Sequence, residues 1–257
     1  MWYKVMVLFS LPLAIGRAAA EETDKTPPVP AEASAASGTQ AAAPRLPAPK
    51  GATAMPEPDR VWIDKQRGQV MVDGYVSLRE GYLEMFACTA GTKEHESVVA
   101  VHSSAQVVHA ALLAIGAEPG HPVRFQPKFS PPTGTRIDVE VRWRDPLGNW
   151  QSAPAQQWVL DASTNQVMRP PWIFAGSGFW TDPATGKQFY QADAGDFICV
   201  SNFSTAMLDI PIESSQIDDQ RIYVANTKLI PPLGIPVRLV LKPEVDPEES
   251  EKGEVDK

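Results

Sequence analysis

The sequence predicts an α+β fold dominated by β-structure. Three observations carry this. Residues 136–144 (RIDVEVRWR) alternate apolar and charged side chains over a full strand length. Residues 61–78 break into short β-branched and aromatic runs punctuated by Gly68 and Asp73-Gly74. A single apolar stripe at helical spacing lies between them and the alternating strand. Hydrophobic content of 43% and charged content of 21% match a globular body. The two cysteines are too few for a disulfide-dense mini-fold or a four-thiolate cluster. A net charge of −8 removes nucleic acid as a default partner.

Taken in chain order, residues 1–20 read as a signal peptide. Lys4 supplies the positive start, residues 5–15 the apolar stretch, and Ala18-Ala19-Ala20 a small-residue cleavage site. An apolar helix of that length spans ~16 Å, against ~30 Å for a bilayer core. The protein is therefore expected to be exported, periplasmic or secreted, without a stable transmembrane anchor. Residues 21–58 are rich in Ala and Pro and poor in large apolar side chains. Such a segment buries too little surface to offset chain entropy, so a disordered linker is expected. Residues 59–243 form the folded domain. Residues 244–257 carry Glu244, Asp246, Glu248, Glu249, Glu251, Glu254 and Asp256 and read as a disordered acidic tail.

Within the domain, Val61-Trp62-Ile63, Val70-Met71-Val72 and Tyr75-Val76-Ser77-Leu78 are expected strands, with a turn at Asp73-Gly74. Ser103 or Ser104 can cap a helix. Val107, Val108, Ala111, Leu112 and Ile115 form its apolar stripe, and Gly116 stands where a terminating glycine belongs. On strand 136–144, Ile137, Val139, Val141 and Trp143 share one face. Gln157-Trp158-Val159-Leu160 is its expected hairpin partner.

An internal echo crosses the domain. Trp62-Ile63 recurs as Trp172-Ile173, Phe86-Ala87-Cys88 as Phe197-Ile198-Cys199, and Ser103-Ser104 as Ser214-Ser215. Residues 120–124 (GHPVR) recur as 234–238 (GIPVR). Short motifs also recur by chance. As a duplication, the echo describes two pseudo-symmetric α+β repeats, 60–125 and 171–240, flanking an inserted β-hairpin at 126–170.

Cys88 and Cys199 hold corresponding places in that echo. An exported chain with two cysteines favours one bridge; two separate buried thiols, or a reactive thiol, are the other readings. The densest polar segment is 88–97 (CTAGTKEHES), between two apolar runs. Cys88, Lys93, His95 and Glu96 would supply a thiol, an amine, an imidazole and a carboxylate for acid–base or nucleophilic chemistry. The alternative is a solvated surface turn. His102, His109 and His121 are scattered, and zinc needs three or more ligands, so neither a metal nor a cofactor is expected. There is no G-x-S-x-G elbow, P-loop or dinucleotide fingerprint. Trp172, Phe174, Phe179, Trp180 and Tyr190 form an aromatic run, read as core packing or as a ligand platform.

Four stretches resemble the YdjY-domain family of exported bacterial proteins: 88–99 (CTAGTKEHESVV), 108–117 (VHAALLAIGA), 171–177 (PWIFAGS) and 197–209 (FICVSNFSTAMLD). The resemblance spares the linker and the tail and implies no particular chemistry. Some members are described as ferredoxin-like, which implies a run of closely spaced cysteines. With only Cys88 and Cys199, this chain departs from that pattern, and electron transfer is not carried over. The expected role is a non-enzymatic binding or interaction module of the cell envelope, its partner an envelope protein or small ligand. The alternative is a small hydrolase or transferase using Cys88, Lys93, His95 and Glu96.

Overall fold

The structure, a computed structural model, describes residues 45–215 and 221–244. The expected signal peptide, the linker up to residue 44 and the tail beyond Glu244 lie outside the described residues. The first strands are β1 (Thr53–Ala54), β2 (Val61–Asp64), β3 (Gln69–Val76), β4 (Met85–Thr89) and β5 (Ser97–Val101), followed by helix α1 (Ala105–Ala114). Then come β6 (Arg136–Arg144), β7 (Trp150–Pro154), β8 (Val159–Asp161), β9 (Trp172–Phe174), β10 (Phe179–Thr181) and β11 (Gln188–Tyr190). The chain closes with β12 (Ile198–Cys199), β13 (Leu208–Asp209), β14 (Tyr223–Ala225) and β15 (Pro236–Pro243). Among the described residues the fold is mainly β with one α-helix.

Eight strands form a closed ring in the order β3-β15-β6-β9-β13-β12-β4-β5, with β5 pairing back to β3. Closure removes the free edges that an open sheet would expose. Phe86, Trp158, Trp172, Phe174, Phe197 and Leu112 are fully buried in one apolar core. Strands β2 and β1 extend the sheet outward from β3, and β7 extends it from β6. Among the described residues, no helix is long and apolar enough to cross a membrane.

The helix forms where its sequence signals stand. Ser104 accepts the Val107 N–H, Ala105, Val108, Ala111 and Leu112 are buried, and Gly116 adopts φ +88°. The alternating strand is β6, with Ile137, Val139 and Val141 inward. Its hairpin partner differs from expectation. Asp145 accepts the N–H groups of Leu147 and Asn149, closing a tight turn. Trp150–Pro154 therefore pairs with β6, while Val159–Asp161 pairs with β14.

The expected turn at Asp73-Gly74 is also replaced, because β3 runs straight through it. One edge of β3 pairs first with β2 and then with β5, and Gly74 stands at the exchange. A Cβ there would lie 2.2 Å from the Ala100 carbonyl oxygen. Only glycine admits β5 this close. Residues 45–58, expected in the linker, belong to the folded body. Leu46 is buried, and β1 pairs with β2.

The strand pairings are symmetric under exchange of two halves. Exchanging β3 with β9, β4 with β12, β5 with β13 and β6 with β15 reproduces every neighbour in the ring. The parallel pairs β4/β5 and β12/β13 correspond, and so do the antiparallel pairs β3/β5 and β9/β13. Ala87 and Ile198, equivalent in the sequence echo, face each other across β4/β12. The segment expected as an insert is not one. Its strand β6 is the last ring strand of the first half, paired with β9 of the second.

Gly74→Ala is expected to cost about 3 kcal/mol by overpacking the β3/β5 junction. Urea unfolding of the variant against the parent chain checks this.

Candidate functional site

The segment 90–96 carries the chain from β4 back to the start of its parallel neighbour β5. Its side chains do not assemble the expected nucleophilic site. Cys88 is fully buried, and burial raises its thiol pKa despite hydrogen bonding from Ser97. Lys93 reaches Asp196 at 3.0 Å and lies 4.5 Å over the Phe203 ring. Burial lowers its pKa, but the Asp196 hydrogen bond and charge outweigh this and the net shift is upward. His95 is 77% exposed, with Glu96 at 3.8 Å. Glu96 also lies 3.6 Å from Arg221, which bonds Glu84. Lys93 and Glu96 are thus brought together with Glu84, Asp196 and Arg221 in a charge cluster at the barrel wall. His95 stands at its exposed margin beside Glu96, and the Cys88 thiol is buried in the barrel wall.

The expected disulfide is not formed, and both cysteines are free and buried. The register gives the reason. Cys199 pairs with Met85, three positions from Cys88 on β4. At ~3.3 Å per residue this places the two Cα atoms roughly 10 Å apart along the strand, beyond the ~4.4–6.8 Å a bridge requires. The strands meet at the pseudo-twofold axis, but the cysteines sit on opposite sides of it. Cys199 instead packs with Met85, Phe203 and Ala206 in a small cluster of its own, and burial raises its pKa strongly.

Asp209 on β13 is fully buried. Its Oδ1 accepts from Asn202 Nδ2 at 3.1 Å and from the Ile210 N–H at 2.8 Å. Its Oδ2 has no partner among the described residues. Burial pushes this carboxyl up to about 7.

A further concave feature lies elsewhere, on the outside of the barrel. It is a groove of about 870 Å³. Its floor comes from β3, β15 and β6, one wall from residues 47–50 and the other from the β6–β7 hairpin. Asp73 organises it. Arg238 Nε donates to Asp73 Oδ1 at 2.6 Å, and Arg60 Nη2 to Oδ2 at 2.6 Å. The same guanidinium groups also donate to the carbonyls of Pro47 (2.9 Å) and Leu46 (3.3 Å). One buried carboxylate thus aligns two cations that hold the N-terminal strap across the sheet. Pro47 and Pro49 restrict φ along that strap and favour its extended course.

The lining is strongly cationic. Lys50, Arg67, Arg142, Arg144, Arg238 and Lys242 stand against Asp64 and Glu140. Asp64 pairs with Arg67 at 2.8 Å. Glu140 is shared by Arg142 (2.7 Å) and Lys242 (3.4 Å), and the Arg142 hydrogen bond holds its carboxyl below the usual range. Lys50 and Arg144 have no carboxylate partner among the described residues. Arg144 donates to the Gly148 carbonyl and packs 4.8 Å over the ring of Trp150, a residue 44% exposed at the rim.

Sequence reasoning did not single out this groove. The alternation of β6 already places Asp138, Glu140, Arg142 and Arg144 on one face, which was the available signal. The row Asp73, Arg238, Arg142, Ser152 exists only through the pairing of β3, β15, β6 and β7. The aromatic run divides. Trp172, Phe174 and Tyr190 are core, while Phe179 and Trp180 are exposed on the β10–β11 hairpin.

Among known proteins, the family model of the YdjY domain matches residues 61–242. No curated protein and no solved structure matches the chain.

Asp73→Ala would leave Arg238, and in part Arg60, as uncompensated buried charge. A loss of about 3–5 kcal/mol is expected in urea unfolding. Asp209 gives a pH signature. An unfolded aspartate titrates near ~3.9, so between about pH 4 and its folded value of about 7 the folded state alone keeps the proton. This group makes stability fall as pH rises through that window. Asp209→Asn should reduce the slope, read as the unfolding midpoint at successive pH values.

Proposed function

The chain belongs to the YdjY-domain family, and from that premise we propose that it is an exported binding module of the cell envelope that takes an anionic ligand in the groove beneath the 47–50 strap. Export is supported by the apolar leader and its Ala18-Ala19-Ala20 site. The observation that carries the binding reading is the charge of the groove. Six cationic side chains against two carboxylates line it, on a chain of net charge −8. Charge of one sign gathered in a concave surface focuses the field on an oppositely charged ligand. The sites are also rigid, since Arg142 and Arg238 project from paired strands and Arg238 is buried against Asp73.

The alternative hydrolase or transferase would need the Cys88 thiol ionised beside His95 or Lys93, and the thiol's burial works against ionisation.

Titration of the full chain with polygalacturonate, polyphosphate and poly-glutamate tests the groove. At least one of these should bind, more weakly as salt rises. The Arg142→Glu, Arg144→Glu double variant should lose at least about tenfold in affinity, or ~1.4 kcal/mol. Full affinity in that variant would remove the groove from the function.

A further inference from the structure

Resting on the groove reading, and going one step beyond it, we infer that the ligand is an acidic glycan, a chain of pyranose rings bearing carboxylates. Three features of the groove select this class among anions.

The first is what the groove offers a ligand. Its floor strands β3, β15 and β6 are paired on both edges where they line it. The floor therefore meets a ligand with side chains alone, while among the lining strands β7 keeps a free outer edge at the rim. The second is the aromatic rim. Trp150 pairs with Arg144 across the β6–β7 ladder and is held by it, yet keeps its ring partly open to the groove. A flat apolar surface beside guanidinium groups matches a sugar ring, whose C–H face is apolar and whose carboxylate is not. A phosphate chain has nothing to place on it. The third is the neutral polar set. Gln69 and Gln151 each give one amide N–H to a carboxylate, of Asp64 and Asp145. Exposed Gln151 keeps a second N–H and a carbonyl oxygen, a donor–acceptor pair that matches sugar hydroxyls, which both donate and accept. A concave groove walled by residues 47–50 also does not match a flat lipid surface.

Calorimetric titration of the full chain with a galacturonate oligomer, the neutral galactose oligomer of equal length, polyphosphate and phosphatidylglycerol vesicles separates the cases. The uronate oligomer should bind, with its neutral counterpart at least about tenfold weaker. Trp150→Ala should lower uronate affinity about tenfold, leave polyphosphate affinity and the thermal midpoint unchanged, and be rescued by Trp150→Phe. If polyphosphate or the vesicles bind as tightly as the uronate, or Trp150→Ala has no effect on it, the glycan class is overturned while the anionic groove stands. If no anion binds, or binding ignores Arg142→Glu, both fall together.

Discussion

Two adjacent residues, Asp73 and Gly74, set the constraint on which barrel and groove both depend. Gly74 has no side chain, and the Ala100 carbonyl occupies the space where one would be. That close approach lets β5 take over the edge of β3 from β2 and closes the ring. Asp73, one residue earlier, is buried and gathers Arg60 and Arg238. A buried carboxylate between two guanidinium groups is tolerable because its charge and lone pairs are satisfied. The cations then use their remaining N–H groups to hold the strap at Leu46 and Pro47. Closure of the core and construction of the outer groove are therefore coupled through a dipeptide.

The pseudo-twofold pairing explains why the remaining polar residues of the chain group as they do. Each half joins two parallel neighbours, β4 to β5 and β12 to β13, by a segment that must return the full strand length. These two returning segments meet beside the axis. Phe203 and Ala206 from one cover Met85 and Cys199, and Lys93 from the other lies over Phe203 and binds Asp196. The acid–base character of residues 88–97 is absorbed by this packing. Lys93 compensates Asp196, a charge with little access to water, and Glu96 joins Glu84 beside Arg221.

The groove uses its charges differently. There, Arg142 and Lys242 share a single carboxylate and Arg144 faces an aromatic ring. Such incomplete neutralisation costs little at a solvated surface and leaves binding capacity for an external anion. The same arrangement inside the barrel would be prohibitive.

Much was legible before any tertiary structure. Alternation over residues 136–144 reports β6 directly, because a strand half-buried against a core repeats every two residues. Ser104 and Gly116 bound α1 because capping is a local hydrogen-bond requirement. Of the echo, Phe86-Ala87-Cys88 and Phe197-Ile198-Cys199 fall at exchanged strands. Trp62-Ile63, by contrast, lies on β2 outside the ring and Trp172-Ile173 on β9, and residues 120–124 precede β6 while Pro236 begins β15. Local chemistry could not place Asp73-Gly74 inside a strand, since the pair reads as a turn until Arg238, from the far end of the chain, neutralises the aspartate. Nor could it decide the cysteines, whose separation is a matter of register across β4 and β12. Periodicity and capping are properties of neighbours along the chain, whereas the groove and the fate of each charged side chain were decided by strands that meet only when the ring closes.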